Sequence, residues 1–179
     1  MKIYSGIGNG GYGAEVDSEN RLKVLSHAKK FDRHVNEEGR YWSTYFTNTP
    51  TGANDYFFYC KNTGTSNLHI TDIRISSSVT SQITYETVTG TAAGGSNCTI
   101  VNRQIGNSQI PVATIQQGVD ITGLTGTIFD FEECNVANQL YHRSYSSTII
   151  IPQGQSIAFK RIEATGLITC SVSISGGDQ

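Results

Sequence analysis

The chain has 179 residues, a formal net charge of −2 and 16% charged side chains, with 37% hydrophobic residues. That length suits one domain, or one domain with an arm, and is enough to bury a hydrophobic core. The small net charge departs from the signature of an intrinsically disordered chain, and it argues against a nucleic-acid binder that works by neutralising many phosphates.

Residues 1–13 form a compositional segment of their own, in which Gly6, Gly8, Gly10, Gly11 and Gly13 are interleaved with Ile3, Tyr4, Ile7 and Tyr12. So much glycine costs too much backbone entropy to hold a helix or a central strand unaided. Two readings stand. One is a frayed terminus. The other, which we favour, is an arm that orders on a partner, with Tyr4, Ile7 and Tyr12 as its anchors. Residues 1–24 are therefore read as a glycine-rich arm and docking segment, and residues 25–179 as a single β-sandwich domain. The opening Met1-Lys2-Ile3-Tyr4-Ser5-Gly6 begins no apolar run of signal-peptide length, which argues against Sec export. No stretch approaches the length of a membrane span.

Within that first segment, Ala14 to Val24 reads as two short extended pieces around the turn-forming Asp17-Ser18-Glu19-Asn20. Residues 26–39 hold the sole helix candidate: Ser26 can cap it, Phe31 and Val35 share a face, and Gly39 can stop it. Its apolar stripe is thin, so a loop fits equally well. Strand signals follow at Tyr56–Cys60 and at Leu68–Ile75, where the dyad repeat breaks near Thr71-Asp72 as a bulge would require. Ile83–Val88 leads into a predicted loop over 89–96, and Cys98–Asn102, Ile110–Ile115 and Thr127–Phe131 come next. Ser147–Ile151 and Ser156–Ile162 flank Pro152-Gln153-Gly154-Gln155 and predict a hairpin. Leu167–Ser175 alternates apolar and polar residues and predicts an outer strand with one wet face. Eight to ten short strands with almost no helix imply an all-β, antiparallel β-sandwich, most simply a jelly roll.

Chemistry-bearing constellations are few. Asp130 and Glu132 share one face of a strand and Phe129 and Phe131 the other. Paired carboxylates are what a glycosidase needs, but same-strand neighbours on a sandwich rim are more often a solvated face. Tyr141, Arg143 and Tyr145, around His142, form a polar aromatic cluster that reads either as a surface-binding loop or as a loop packed on its own domain. Cys60, Cys98, Cys134 and Cys170 lie 36–38 residues apart with no CxxC pair, so they read as separate buried thiols rather than a zinc site. His27, His34, His69 and His142 show no HxH or HExxH spacing, and no GxSxG occurs. Asp17, Glu19 and Asn20 fit a turn better than a calcium loop, and Trp42, beside Tyr41, Tyr45 and Phe46, reads as packing. No metal and no cofactor is expected, and no enzyme is demanded.

The segment Ala14–Val24, the stretch from His34 to Trp42 with its Glu-Glu-Gly and aromatics, and the Ile149–Ile157 run with its Pro-Gln-Gly turn together resemble small β-sandwich virion structural proteins of tailed bacteriophages. The resemblance implies a non-enzymatic particle component, made in the host cytoplasm and located on the capsid surface as a decoration (cement) protein. Its implied partner is the major capsid protein, and its implied state a homo-oligomer, with a trimer favoured; neither nucleic acid nor membrane is a partner. The alternative is a receptor- or carbohydrate-binding module of a tail or fibre, with Tyr141, Arg143 and Tyr145 contacting a host-surface glycan.

Overall fold

β-Branched and aromatic runs interrupted by Gly, Asn, Ser and Pro favour short strands over helices, and every regular element among the described residues of the computed structural model is a strand. The structure describes residues 2–4, 13–16, 22–25, 38–163 and 165–176, with the backbone alone at 2–4, 13–16, 22–25 and 144–148.

The first three strands, β1 (Lys2–Tyr4), β2 (Gly13–Val16) and β3 (Leu22–Leu25), form an antiparallel sheet in that order, with Lys2 opposite Glu15 and Ala14 opposite Val24. The two extended pieces expected between Ala14 and Val24 are thus present, and Tyr4 pairs with Gly13. Ile7, Tyr12 and most of the helix candidate over 26–39 lie outside the described residues; Gly39 sits in a turn with φ 71°.

Two larger antiparallel sheets make a sandwich. Four strands come first: β4 (Tyr41–Asn48), β5 (Tyr56–Asn62), β6 (Leu68–Ser77) and β7 (Ser81–Ala93). Three shorter ones follow: β8 (Ser96–Asn97), β9 (Ile100–Asn102) and β10 (Ala113–Gln117). The last four are β11 (Thr122–Cys134), β12 (Leu140–Ile151), β13 (Ser156–Arg161) and β14 (Ile168–Gly176). The six-stranded sheet runs β11-β7-β13-β5-β10-β8 and the five-stranded sheet β12-β6-β14-β4-β9. Consecutive strands from β4 to β7 alternate between the sheets, as do those from β11 to β14. The pairing is nested: β4 with β14, β5 with β13, β6 with β12 and β7 with β11. The excursion carrying β8, β9 and β10 then covers the outer edges of β5 and β4.

Between the sheets, Phe46 stacks on Phe58 with ring centroids 5.8 Å apart, and Phe159 meets Phe58 at 4.6 Å and Tyr85 edge-on at 4.8 Å. Offset and edge-on contacts of this kind add to the area term of burial. Phe57 is the residue skipped where β5 shifts register against β13, and it too is fully buried in this core. Two flat glycine contacts shape β11. Gly90 and Gly123 both have positive φ, and a side chain on either would collide with the backbone of the opposing strand.

Several expectations are corrected. Ile151 and Ser156 do not flank a hairpin: β12 belongs to the five-stranded sheet and β13 to the six-stranded one, so the turn at Pro152–Gln155, with Gly154 at φ 76°, carries the chain across the sandwich. A turn fixes a reversal of direction, not which neighbour receives the hydrogen bonds. Leu167–Ser175 is not an outer strand either, since β14 lies between β6 and β4 and buries most of its length. The predicted loop over 89–96 is strand as far as Ala93, held by pairing with β11. The cluster Tyr141 to Tyr145 is part of β12 rather than a loop. By contrast, the bulge expected at Thr71-Asp72 is present: Ser173 pairs with Asp72 and Ile174 with Ile70, leaving Thr71 unmatched.

Candidate functional site

The two longest strands that end a sheet, β11 and β12, lie beside each other on one flank of the sandwich, and an arginine joins them. Arg143 on β12 reaches across to β11, where its Nη1 pairs with the Asp130 carboxylate and its Nε with Glu132 at 3.1 Å. The reason is strand parity: Asp130 and Glu132 pair with the core residues Tyr85 and Ile83, so their side chains turn toward the other sheet. All three side chains are part-exposed, which limits such an ion pair to about 1 kcal/mol at most. Sequence parity had placed both carboxylates on one face; the structure adds the guanidinium between them.

Around this clamp, His142 Nε2 lies 2.7 Å from Asp72 Oδ2, and Arg74 Nε lies 3.3 Å from Asp72 Oδ1. Gln82 Nε2 donates to Glu133 Oε1 at 3.0 Å. Tyr141 is half-buried against the core, and its hydroxyl accepts the Val136 N–H at 2.8 Å. The cluster read from the sequence is therefore divided: Tyr141 turns inward, Arg143 ties the two sheets, and Tyr145 lies where β12 is bulged. That bulge spans Ser144 to Ile149, opposite the step from Asp72 to Ile70. Apolar side chains sit on the exposed part of the flank: Ile128 is 53% exposed, Phe129 43% and Phe131 48%.

A second polar constellation lies on the outer face of the six-stranded sheet. Glu86, fully buried, accepts hydrogen bonds from Tyr56 Oη at 2.6 Å and Thr84 Oγ1 at 2.9 Å, and pairs with Lys160 Nζ at 2.6 Å. Gly126 on the neighbouring strand makes room, since a side chain there would strike the Glu86 carboxylate. Burial pushes the Glu86 carboxyl up, but the hydrogen bonds from Lys160, Tyr56 and Thr84 and the Lys160 charge outweigh it and hold the group below its ordinary value. Burial, followed by the hydrogen bond to Glu86, raises the Tyr56 hydroxyl well above its usual range. Each charged or polar group here already has a partner, which is the arrangement of a structural network. The sequence offered no signal for it, because Tyr56, Glu86 and Lys160 stand on three separate strands.

One open pocket of about 120 Å³ is lined by Arg40, Trp42, Asn62, Asn67, Gln109 and Val112 among others. Part of its polar wall is already engaged: Trp42 Nε1 donates to the Gln109 carbonyl at 2.8 Å, and the Asn62 amide donates to Ser66 and Ile151 carbonyls. Trp42 is 3% exposed and so packs, as its aromatic surroundings suggest. All four cysteines are free thiols; Cys60, Cys134 and Cys170 are buried, and Cys98 is half-buried between β8 and β9. Burial pushes the Cys60 thiol up to about 12 and the Cys98 and Cys134 thiols up to about 11. Among the described residues, no group of three or more His, Cys, Asp or Glu side chains is placed to hold a metal ion. No family model, no curated protein and no solved structure matches the chain.

Proposed function

We propose that the protein is a non-enzymatic structural component of a bacteriophage particle, a decoration protein that binds and stabilises the head lattice. The observation that carries the reading is the nested pairing of β4 with β14 through β7 with β11. We read that pairing as a jelly roll with an excursion between its two halves, an architecture used by viral capsid and lectin domains. The argument is by fold-level analogy. Two further features support it. Asp130 and Glu132, the carboxylates a hydrolase would need, are both engaged by Arg143. The N-terminal strands β1 to β3 hydrogen-bond with one another and with no other described strand, which suits a separate attachment element. A lattice presents many equivalent sites, so an oligomer can hold on through several weak contacts at once.

The test is the copy number of the protein in purified particles, measured by quantitative mass spectrometry against the major capsid protein. Hundreds of copies are expected; a handful would overturn the decoration reading and point to a tail or fibre. Removing residues 1–13 should abolish co-sedimentation with capsids while leaving the sandwich folded.

A further inference from the structure

At one end of the sandwich two loops face each other across the pocket of about 120 Å³, a space large enough for several water molecules. One loop joins β5 to β6 and brings Thr65, Ser66 and Asn67; the other leads into β10 and brings Gln109, Ile110 and Val112. Hydrogen bonds hold both in place. The Thr63 N–H donates to the Val112 carbonyl at 3.2 Å, tying one loop to the other. The Gln109 carbonyl accepts from Trp42 Nε1 at 2.8 Å and from Asn102 Nδ2 at 3.0 Å. Asn62 braces the first loop, donating to the Ser66 carbonyl at 2.8 Å and accepting the Gly64 N–H at 3.0 Å. The pocket is therefore preformed, as small-ligand sites usually are.

Its lining says what fits. Trp42, Leu68 and Pro111 are buried and give it an apolar floor, while Ile110 and Val112, 67% and 65% exposed, give it an apolar rim. Beside these stand the side-chain amides of Asn67 and Gln109 and the hydroxyls of Thr65 and Ser66, none of them engaged by a described residue. Each offers both a donor and an acceptor, the combination that neighbouring hydroxyls of a ligand require. Arg40 is the one charged residue among the described lining residues, and it is paired with Glu38. With no carboxylate in the lining and the cation compensated, nothing there selects a charged ligand. Nor does a peptide find a strand to extend, since β4 and β5, whose ends reach the pocket, are already covered by β9 and β10. An uncharged ring with hydroxyls on its rim and C–H groups on its faces matches all of these features.

We propose that this pocket is a saccharide site that takes one uncharged pyranose unit of a glycan, its C–H face against Leu68 and Val112 and its hydroxyls on Asn67, Gln109 and Ser66. The site does not depend on attachment to a particle, and it is tested on the isolated full-length protein. Trp42 is the chain's single tryptophan, so its indole N–H gives one NMR signal that reports from the pocket wall. Titration with glucose, galactose, mannose and N-acetylglucosamine is expected to shift that signal saturably for at least one sugar, with a Kd on the order of millimolar. The double variant Asn67→Ala/Gln109→Ala, which alters two exposed side chains, is expected to raise that Kd at least about tenfold with an unchanged circular dichroism spectrum. Tyr45→Ala, which removes a 65% exposed ring that does not line the pocket, is expected to leave it unchanged. Absence of any shift with all of these sugars at tens of millimolar would overturn the inference. So would a double variant that binds as well as wild type, an equal loss in Tyr45→Ala, or tighter binding of glucosamine or glucuronate than of the neutral sugars.

Discussion

The two flanks of the sandwich solve the same problem in opposite ways. On one side the chain leaves β7 at Ala93, builds β8, β9 and β10, and lays them over the exposed edges of β5 and β4 before returning to β11. The covering strands bring their own anchors: Ile115 is buried in the core, and Cys98 and Ile100 pack against it. On the other side β11 and β12 run their full lengths at the ends of the sheets, joined by Arg143. No described strand pairs with their outer sides, and Ile128 and Phe131 are exposed there. The difference shows that edge covering here is an added piece of chain rather than a property of the nested core.

The comparison breaks most visibly if the covering strands prove dispensable. Ile115→Ala should cost about 2–5 kcal/mol in a denaturant titration, the usual range for a truncated core aliphatic. Ile128→Ala should stay within about 0.5 kcal/mol. Similar values for the two would mean that the flanks do not differ in packing.

A smaller effect separates the buried network from the exposed clamp. Glu86→Gln should destabilise the protein by about 2 kcal/mol at neutral pH, because it leaves Lys160 without its carboxylate. Glu86 is held below its ordinary value of 4.5, so its contribution is complete above that value and is lost as pH falls through the lower, folded-state value. The stability gap between wild type and Glu86→Gln should therefore narrow as pH is lowered below 4.5, as thermal melts would register. Arg143→Ala should cost no more than about 1 kcal/mol, and added salt should shrink the difference further. Smallest of all is the thiol response. With burial raising Cys60, Cys98 and Cys134, a thiol reagent at neutral pH should label the folded protein slowly and all four cysteines rapidly in denaturant.

Much of this was legible in the residues. The strand runs at Tyr56–Cys60 and Leu68–Ile75 and the break at Thr71-Asp72 follow from β-propensity and dyad alternation, both local properties. The shared face of Asp130 and Glu132 follows from the same alternation. The hairpin expected around Pro152–Gln155 failed because the turn is local while the pairing is not: β12 finds β6 and β13 finds β5 and β7. For the same reason alternation at Leu167–Ser175 suggested a wet face, whereas the neighbours that bury β14 come from strands β4 and β6, distant in sequence. The polar cluster at Tyr141–Tyr145 showed its composition but not its division into an inward tyrosine and a bridging arginine.

By itself the sequence determined that this chain is built of short antiparallel strands around an aliphatic and aromatic core, because propensity and period act within a few residues of one another. Only the tertiary structure decided which strands meet, which of them are left at an edge, and that Arg143, Glu86 and Lys160 find their partners. Those contacts join residues from separate strands, and their energies exist only once the two sheets have closed on each other.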